Sequence, residues 1–397
     1  MIDVLCEYLD TLGSGAHRAA TQAVYGTERA KRGRAWPAKA TFADHAARFD
    51  RRRLHKLGRS SRGRAAEAPG QQGGLCSPRP QSLYFVVRLP TMEANTPPAG
   101  ASPPNLRRCA ERALIAEFRQ GRRIEPDDDG RLDELRELVV PTIKDEELDQ
   151  ALSDIARGDG QELRWTTRSD GTPRPPDIHS IFSSSGAALN NFGPWRLAPN
   201  SLHLHDETDF SQLRFEEKLR IFRGGRAPNL DVLLYDDKRV FAVESKLCEH
   251  LTPGKRAKFQ ESYERVGPFG DQSWAALYQM LKDKPERFSY LDVGQLVRHY
   301  WGLAKQTSKG RSPHAGKRAM LIYLYWEPDD ADKHKACLAH RLEVADFSQL
   351  VADRKIPFAS MTFRQLWDSW AAQDDPPWLA EHITLLEARY GVSLGDC

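Results

Sequence analysis

Hydrophobic and polar positions along the 397-residue chain fall into three regimes. Residues from about 51 to 104 are rich in Arg, Ala, Gly, Pro and Ser and show little periodicity. Such a stretch buries too little apolar surface to offset the entropy of ordering it, which predicts disorder, with room for a short helix before it. From Asn105 a helical period takes over. Leu106, Cys109, Ala110, Ala113, Leu114, Ile115 and Phe118 share one face, and further helices are expected over 130–138 and 145–155. Residues 168–177 form a polar, Pro-rich connector, the expected boundary before the third regime.

That third regime mixes both periods. Ser183-Ser184-Ser185-Gly186 leads into Ala187, Ala188, Leu189 and Phe192, a Ser-started helix ending before Gly193-Pro194. Residues 211–221 alternate, with Leu213, Phe215, Glu217, Leu219 and Ile221 on one face and Arg214, Glu216, Lys218 and Arg220 on the other, so a strand is expected. Val232–Tyr235 and Val240–Val243 are two further β-prone runs flanking Asp236-Asp237-Lys238, the pattern of a hairpin. Helices are expected over 272–281 and 292–305, a fully buried strand over 318–326, and amphipathic helices over 362–372 and 378–389.

The hairpin also carries the chemistry. If Tyr235 pairs with Lys238 or Arg239, Asp231 lies opposite Ala242 or Val243, one or two residues from Glu244. Neighbouring strands run about 4.8 Å apart, so the two carboxylates come within reach of one small ion. Glu244 and Lys246 point to the same face of their strand, which sets a carboxylate beside an amine. Charged groups at the end of a buried hairpin need partners, and Mg²⁺ takes one or two carboxylates with water completing its shell.

Pro228 and Asp231, followed by Glu244-Ser245-Lys246, resemble the PD-(D/E)xK nuclease signature. The longer run PNLDVLLYDDKRVFAVESKLCEHL, with FSSSGAALNNFGPW upstream, is similar to the restriction-endonuclease-like proteins of the PGN_0703-like family over roughly 180–328. The resemblance implies an α/β fold, a restriction-endonuclease-like αβββαβ core whose mixed central sheet is flanked by helices. It implies a Mg²⁺- or Mn²⁺-dependent deoxyribonuclease of restriction or repair type. Asp231, Glu244 and the Ser245 backbone carbonyl would hold the ion, and Lys246 would orient or help deprotonate the attacking water. It adds an acid from the preceding strand, Glu216 with Glu217 as the competitor, and a polar residue from the helix between the third and fourth strands, Gln295. On the residues alone, Glu216 reads equally as an acid on an exposed strand and Gln295 as a surface helix residue. A non-catalytic nucleic-acid-binding or scaffold protein that keeps the fold is the alternative for the whole.

Composition refines this picture. The chain is 28% charged and 40% hydrophobic, as soluble globular proteins are. No apolar run approaches the 18 or so residues of a membrane span and no signal-peptide pattern opens the chain, so a cytoplasmic protein with no membrane partner is expected. The net charge of +3 is uneven: residues 1–91 hold 16 Lys and Arg against 7 Asp and Glu, or +9, leaving −6 for the rest. That basic tail is a nucleic-acid arm, a solvated linker, or sequence lying upstream of a start at Met92. Three parts are therefore expected: a basic, largely disordered tail over 1–104, a helical lead-in over 105–165, and a nuclease-like domain over 178–397. Six scattered cysteines without a CxxC pair read as reduced thiols. P-loop and GxGxxG motifs are absent, and His203 with His205 lacks a third metal ligand. Cutting a duplex on both strands calls for two sites, so DNA as partner brings with it an expected homodimer.

Overall fold

Three β-prone runs, the second and third joined by a tight turn, fold back on one another, and the rest of the described chain covers the two faces they create. A computed structural model describes residues 105–397 except 121–123, 159, 222–226, 262, 264–271, 309 and 374–375, together with the backbone alone of 272–275. The expected tail over 1–104 lies outside the described residues.

Strands β1 (Gln212–Lys218), β2 (Asn229–Tyr235) and β3 (Arg239–Lys246) form an antiparallel meander. β4 (Arg318–Tyr325) then adds parallel to β3, and β5 (Phe358–Thr362) parallel to β4, giving a mixed five-stranded sheet in sequence order. Parallel neighbours require crossovers, supplied by helices α5 (Gln272–Asp283) and α6 (Val293–Thr307) between β3 and β4, and by α7 (Lys335–Val351) between β4 and β5. Helix α4 (Ser184–Phe192) precedes β1, so α4, the meander, the α5–α6 crossover and β4 reproduce the expected αβββαβ order.

Both sheet faces are dry. Val232, Leu234, Phe241 and Val243 belong to one apolar cluster with α4 and with α1 (Leu106–Arg119), α3 (Asp145–Arg157), α8 (Phe363–Ala371) and α9 (Leu379–Tyr390). Leu233, Val240 and Ala242 belong to the other, packed against α5, α6 and α7. Among the described residues, no helix is long and apolar enough to cross a membrane.

Several expectations need correction. The hairpin register is Tyr235↔Val240 and Val232↔Val243 rather than Tyr235 with Lys238 or Arg239. Asp236 sets it: its Oδ1 accepts from the backbone N–H of Lys238 at 2.7 Å and of Arg239 at 2.9 Å, and its own N–H donates to the Arg239 carbonyl at 3.1 Å. A two-residue Asp237-Lys238 loop results, and the whole ladder shifts accordingly. The helix expected over 130–138 shrinks to α2 (Leu135–Leu138), because the Asp127 carboxylate holds Asp129 and Arg131 in a turn completed by Gly130 at φ +70°. The polar connector contains a two-stranded ribbon, Thr166–Thr167 against Pro173–Arg174. Helix α7 and strand β5 have no counterpart in the sequence reading. Cys109 of α1 and Cys397 form a disulfide with Cα atoms 6.2 Å apart, where six reduced thiols were expected; α1 packs against α9, which brings two cysteines 288 positions apart together. Cys248 and Cys337 stay free and buried.

Candidate active site

Continuing the β2–β3 register one step past Val232↔Val243 sets Asp231 directly opposite Glu244. In the same way the β1–β2 register, which runs from Phe215↔Val232 to Glu217↔Leu230, sets Glu216 opposite Asp231. Three carboxylates thus stand in one row across three adjacent strands. Glu216 departs from its strand at φ +51°, a left-handed conformation that costs a non-glycine residue about 1–3 kcal/mol. Its effect is visible in the packing: Leu213 and Phe215 join one apolar cluster while Leu219 and Ile221 join the other, so the single-face alternation expected for 211–221 breaks at Glu216.

Each member of the row has different company. Asp231 Oδ2 accepts from the Ser245 N–H at 2.6 Å. Glu244, 1% exposed, takes the Lys246 ammonium on Oε1, while Oε2 faces His299 Nε2 at 2.8 Å. That second contact is close but poorly aligned, leaving Glu244 Oε2 and both ring nitrogens of His299 without a well-formed hydrogen bond. Glu216 accepts from Ser185 Oγ at 3.3 Å, near the N-terminus of α4. The Ser245 side chain turns to the opposite face, where its buried hydroxyl has no partner.

Electrostatics follow from burial. Burial and the neighbouring Glu244 charge raise the Asp231 carboxyl well above the usual range. Burial, then Glu162 and Glu244, push Glu216 up to about 7. Burial also opposes ionisation of Glu244, but Lys246 and His299 outweigh it and hold that carboxyl down to about 2. The Lys246 ammonium, disfavoured by burial, is kept well above its ordinary value by Glu244, Glu249 and Asp231. One strand-end ammonium therefore serves a row of three acids, a shortage of positive charge that protonation of Asp231 and Glu216 makes up.

A cavity of about 190 Å³ opens onto Glu244 and Lys246 and is also lined by Gln295, Lys255, His250 and Tyr323. Gln295 enters it from the first turn of α6, whose N-cap Asp292 accepts from the Gln295 N–H at 2.9 Å. Glu216 and Asp231 are not among its lining residues. Glu217 lies apart from the row, its nearest charges being those of Arg157 and Arg214. Glu249 secures the chain beyond β3: it accepts from the N–H groups of Leu247 and Cys248, both at 3.0 Å, and from Ser184 Oγ of α4.

Two residues at the site escape the sequence reading. His299 is one turn beyond Gln295, and that i, i+4 spacing is the signal that could have found it. Glu162 comes from the 3₁₀ turn Gln161–Leu163, where nothing in the pattern marks it.

Among the described residues, no group of three or more His, Cys, Asp or Glu is arranged to hold a metal ion. Mg²⁺ needs fewer, keeping most of its shell as water around one or two carboxylates. Asp231 and Glu244 supply hard oxygen donors of that kind, and the orphaned, buried Glu244 Oε2 is an acceptor with spare capacity. The residues fit such an ion.

Comparison with known proteins accords with this architecture. No curated protein and no solved structure matches the chain. A family model described as restriction endonuclease associating with ARP matches residues 135–391, from α2 to the residue after α9. The match spans well over half of the 397 residues and encloses the whole five-stranded sheet with its row of acids. On that extent, the chain belongs to the family of restriction endonucleases associating with ARP.

Proposed function

We propose that this protein is a metal-dependent endonuclease that hydrolyses DNA phosphodiester bonds, of restriction or repair type, with a PD-(D/E)xK centre made by Asp231, Glu244 and Lys246. The observation that carries the proposal is the row of Glu216, Asp231 and Glu244 across β1, β2 and β3 with one ammonium, Lys246, beside it. Such a row of acids is costly unless a cation neutralises it, and a phosphodiester is one substrate whose hydrolysis uses a cation held by carboxylates.

Asp231 and Glu244 would hold Mg²⁺ or Mn²⁺, with the Ser245 carbonyl as a further donor. When bound, the ion offsets charge on the phosphate and makes water a better nucleophile. The chain's own groups do the rest. Lys246, tethered to Glu244, presents its ammonium to the attacking water and to the charge that builds on the phosphate oxygens. Gln295, on the cavity wall, offers an amide to the same water or to a phosphate oxygen. Glu216, with its carboxyl near 7, exchanges a proton readily at neutral pH. Hydrolysis forms one P–O bond from water, breaks the bond to the leaving oxygen, and passes the water's proton on to that oxygen through solvent. Two copies related by a two-fold axis would cut both strands, and the association with ARP in the family's description is proposed for this chain as well.

Supercoiled plasmid incubated with the purified protein tests the reading. It is expected to be cut in Mg²⁺ or Mn²⁺ and left intact in EDTA, and Lys246→Ala is expected to abolish cleavage. Cutting by Lys246→Ala at the wild-type rate would show that the centre lies elsewhere.

A further inference from the structure

Beyond β3 the chain runs through an irregular segment, 252–260, whose side chains alternate between inside and outside. Ala257 and Phe259 pack against the apolar cluster under α6, whereas Arg256 and Lys258 are exposed. Lys255 is in phase with the inward pair, and its side chain lines the cavity that holds Glu244, Lys246 and Gln295. The segment is pinned there by its backbone. The Gly254 N–H donates to Ser289 Oγ at 2.9 Å, the Lys255 N–H to the Ser289 carbonyl at 2.8 Å and the Ala257 N–H to the Pro285 carbonyl at 2.8 Å. Arg298 of α6 donates to the Lys258 carbonyl at 3.0 Å.

Lys255 is half-buried, and the acids of this cavity are already engaged. Glu244 holds Lys246, Glu249 is tied to Ser184 and to the N–H groups of Leu247 and Cys248, and Asp292 caps α6. Among the described residues, no carboxylate stands within ion-pair distance of Lys255. Outward along the same segment come two more cations, Arg256, whose contact with Glu286 is long at 3.5 Å and exposed on both sides, and Lys258. From Lys255 to Lys258 the chain spans at most roughly 10 Å, the axial rise of about three nucleotides of one strand.

We propose that segment 255–258 is a phosphate track for the DNA strand being cut, with Lys255 binding a phosphate beside the scissile one and Arg256 and Lys258 binding those that follow. The inference rests on the nuclease reading for its substrate and adds the path that the strand takes out of the site. Lys255 is a positioning residue: it fixes the strand so that the scissile phosphate meets Lys246, and it takes no part in moving protons.

The test separates the two readings. Binding of a fluorescent duplex in EDTA, titrated against salt, reports phosphate contacts without cleavage. A lost contact lowers the slope of log affinity against log salt by about 0.9. Lys255→Ala is expected to weaken binding roughly tenfold, equally for unrelated sequences, and to lower the slope by that amount; Lys255→Arg is expected to restore both. The control Lys333→Ala, outside the cavity, should change neither. With Mg²⁺ present, Lys255→Ala should raise KM more than it lowers kcat. A wild type that binds duplex while Lys255→Ala keeps its full slope would overturn the track and leave the nuclease reading standing. A wild type that binds but cuts in no metal would overturn the nuclease reading and with it the track's role in placing a strand for cutting, and one that does not bind DNA would overturn both outright.

Discussion

His299 Nε2 of α6 stands 2.8 Å from Glu244 Oε2 of β3, and neither side chain is more than 2% exposed. A helix on one face of the sheet thus supplies a second neighbour to the carboxylate that Lys246 already holds. His299→Phe keeps the ring and removes both nitrogens, leaving Lys246 as the only group to offset the buried charge of Glu244. Stability is expected to fall by about 0.5–1.5 kcal/mol, the range of an ordinary polar contact, as read by urea unfolding at pH 7. The Glu244 carboxyl should rise from about 2, as read by titrating its side-chain carboxyl carbon by NMR. An unchanged Glu244 titration would show that His299 does not help to hold Glu244 ionised.

A divalent ion held by Asp231 and Glu244, as proposed, would stabilise only the folded chain. Millimolar Mg²⁺ or Mn²⁺ should therefore raise Tm, by an amount that grows with the logarithm of ion concentration above Kd. Asp231→Asn and Glu244→Gln keep the shape of the site and remove one ligand charge each, so both should lose most of that increment. Asp231→Asn should melt no lower than wild type in EDTA, because a neutral amide replaces a carboxyl whose charge burial disfavours, whereas Glu244→Gln should melt lower, because it leaves the buried Lys246 ammonium without its carboxylate. A Tm increment that survives in both variants would place the ion elsewhere.

Most of this site was legible in the sequence, and its gaps have physical causes. The Val232–Tyr235 and Val240–Val243 runs announced the hairpin, and side-chain alternation set Glu244 beside Lys246. The register was not legible, because the Asp236 carboxylate decides it by binding two backbone N–H groups, and hydrophobic pattern carries no trace of that choice. Nor does pattern foretell a glutamate at positive φ; Glu216 breaks a regular alternation and so turns the second half of its strand's apolar residues to the other face.

Helix α7 escaped because its buried stripe includes Cys337 and His340 among Val344, Phe347 and Val351, so its apolar period is diluted by residues that read as polar. β5, five residues long and only partly buried, gave no alternating signal. His299 was hidden differently, inside a helix that was expected but whose apolar face was counted through Leu296, Val297, Tyr300 and Leu303. The narrower PGN_0703-like name from the resemblance and the family that matches differ, while both describe restriction-endonuclease-like proteins.

Away from the site, His382 of α9 sets one term of the acid stability. Burial lowers its pKa from 6.5 to about 4, against the pull of the Asn191 carbonyl, and Thr142 Oγ1 sits 2.7 Å from Nδ1. Between pH 6.5 and about 4 the unfolded chain binds this proton and the folded chain does not. Its contribution is therefore present in full above 6.5 and lost as pH falls through that window, by roughly 3 kcal/mol in total. His382→Gln should show a shallower loss of stability between pH 7.5 and 4.5 than wild type, measured by urea midpoints at each pH. Parallel curves would mean that the imidazole is not neutral in the fold.

Gly302 tests whether α6 must lie close to β1 for the site to work. It sits inside α6, where helix propensity alone predicts that Ala would be better by about 1 kcal/mol. A Cβ at this position would meet Leu219 Cβ at 2.6 Å and the Leu219 carbonyl oxygen at 3.0 Å, and neither is the far end of a flexible chain. Helix and strand would have to part, and overpacking of this kind costs about 1–3 kcal/mol, so Gly302→Ala is expected to destabilise, against its propensity. Leu219 is three residues from Glu216, and Gln295 and His299 ride on the same helix, so a shift of α6 moves the cavity wall relative to the acids. Cleavage should consequently fall, and duplex binding in EDTA should weaken to a smaller degree, because the 255–258 segment leans on the same helix. A Gly302→Ala protein that is more stable than wild type and equally active would show that the close approach of α6 to β1 is dispensable.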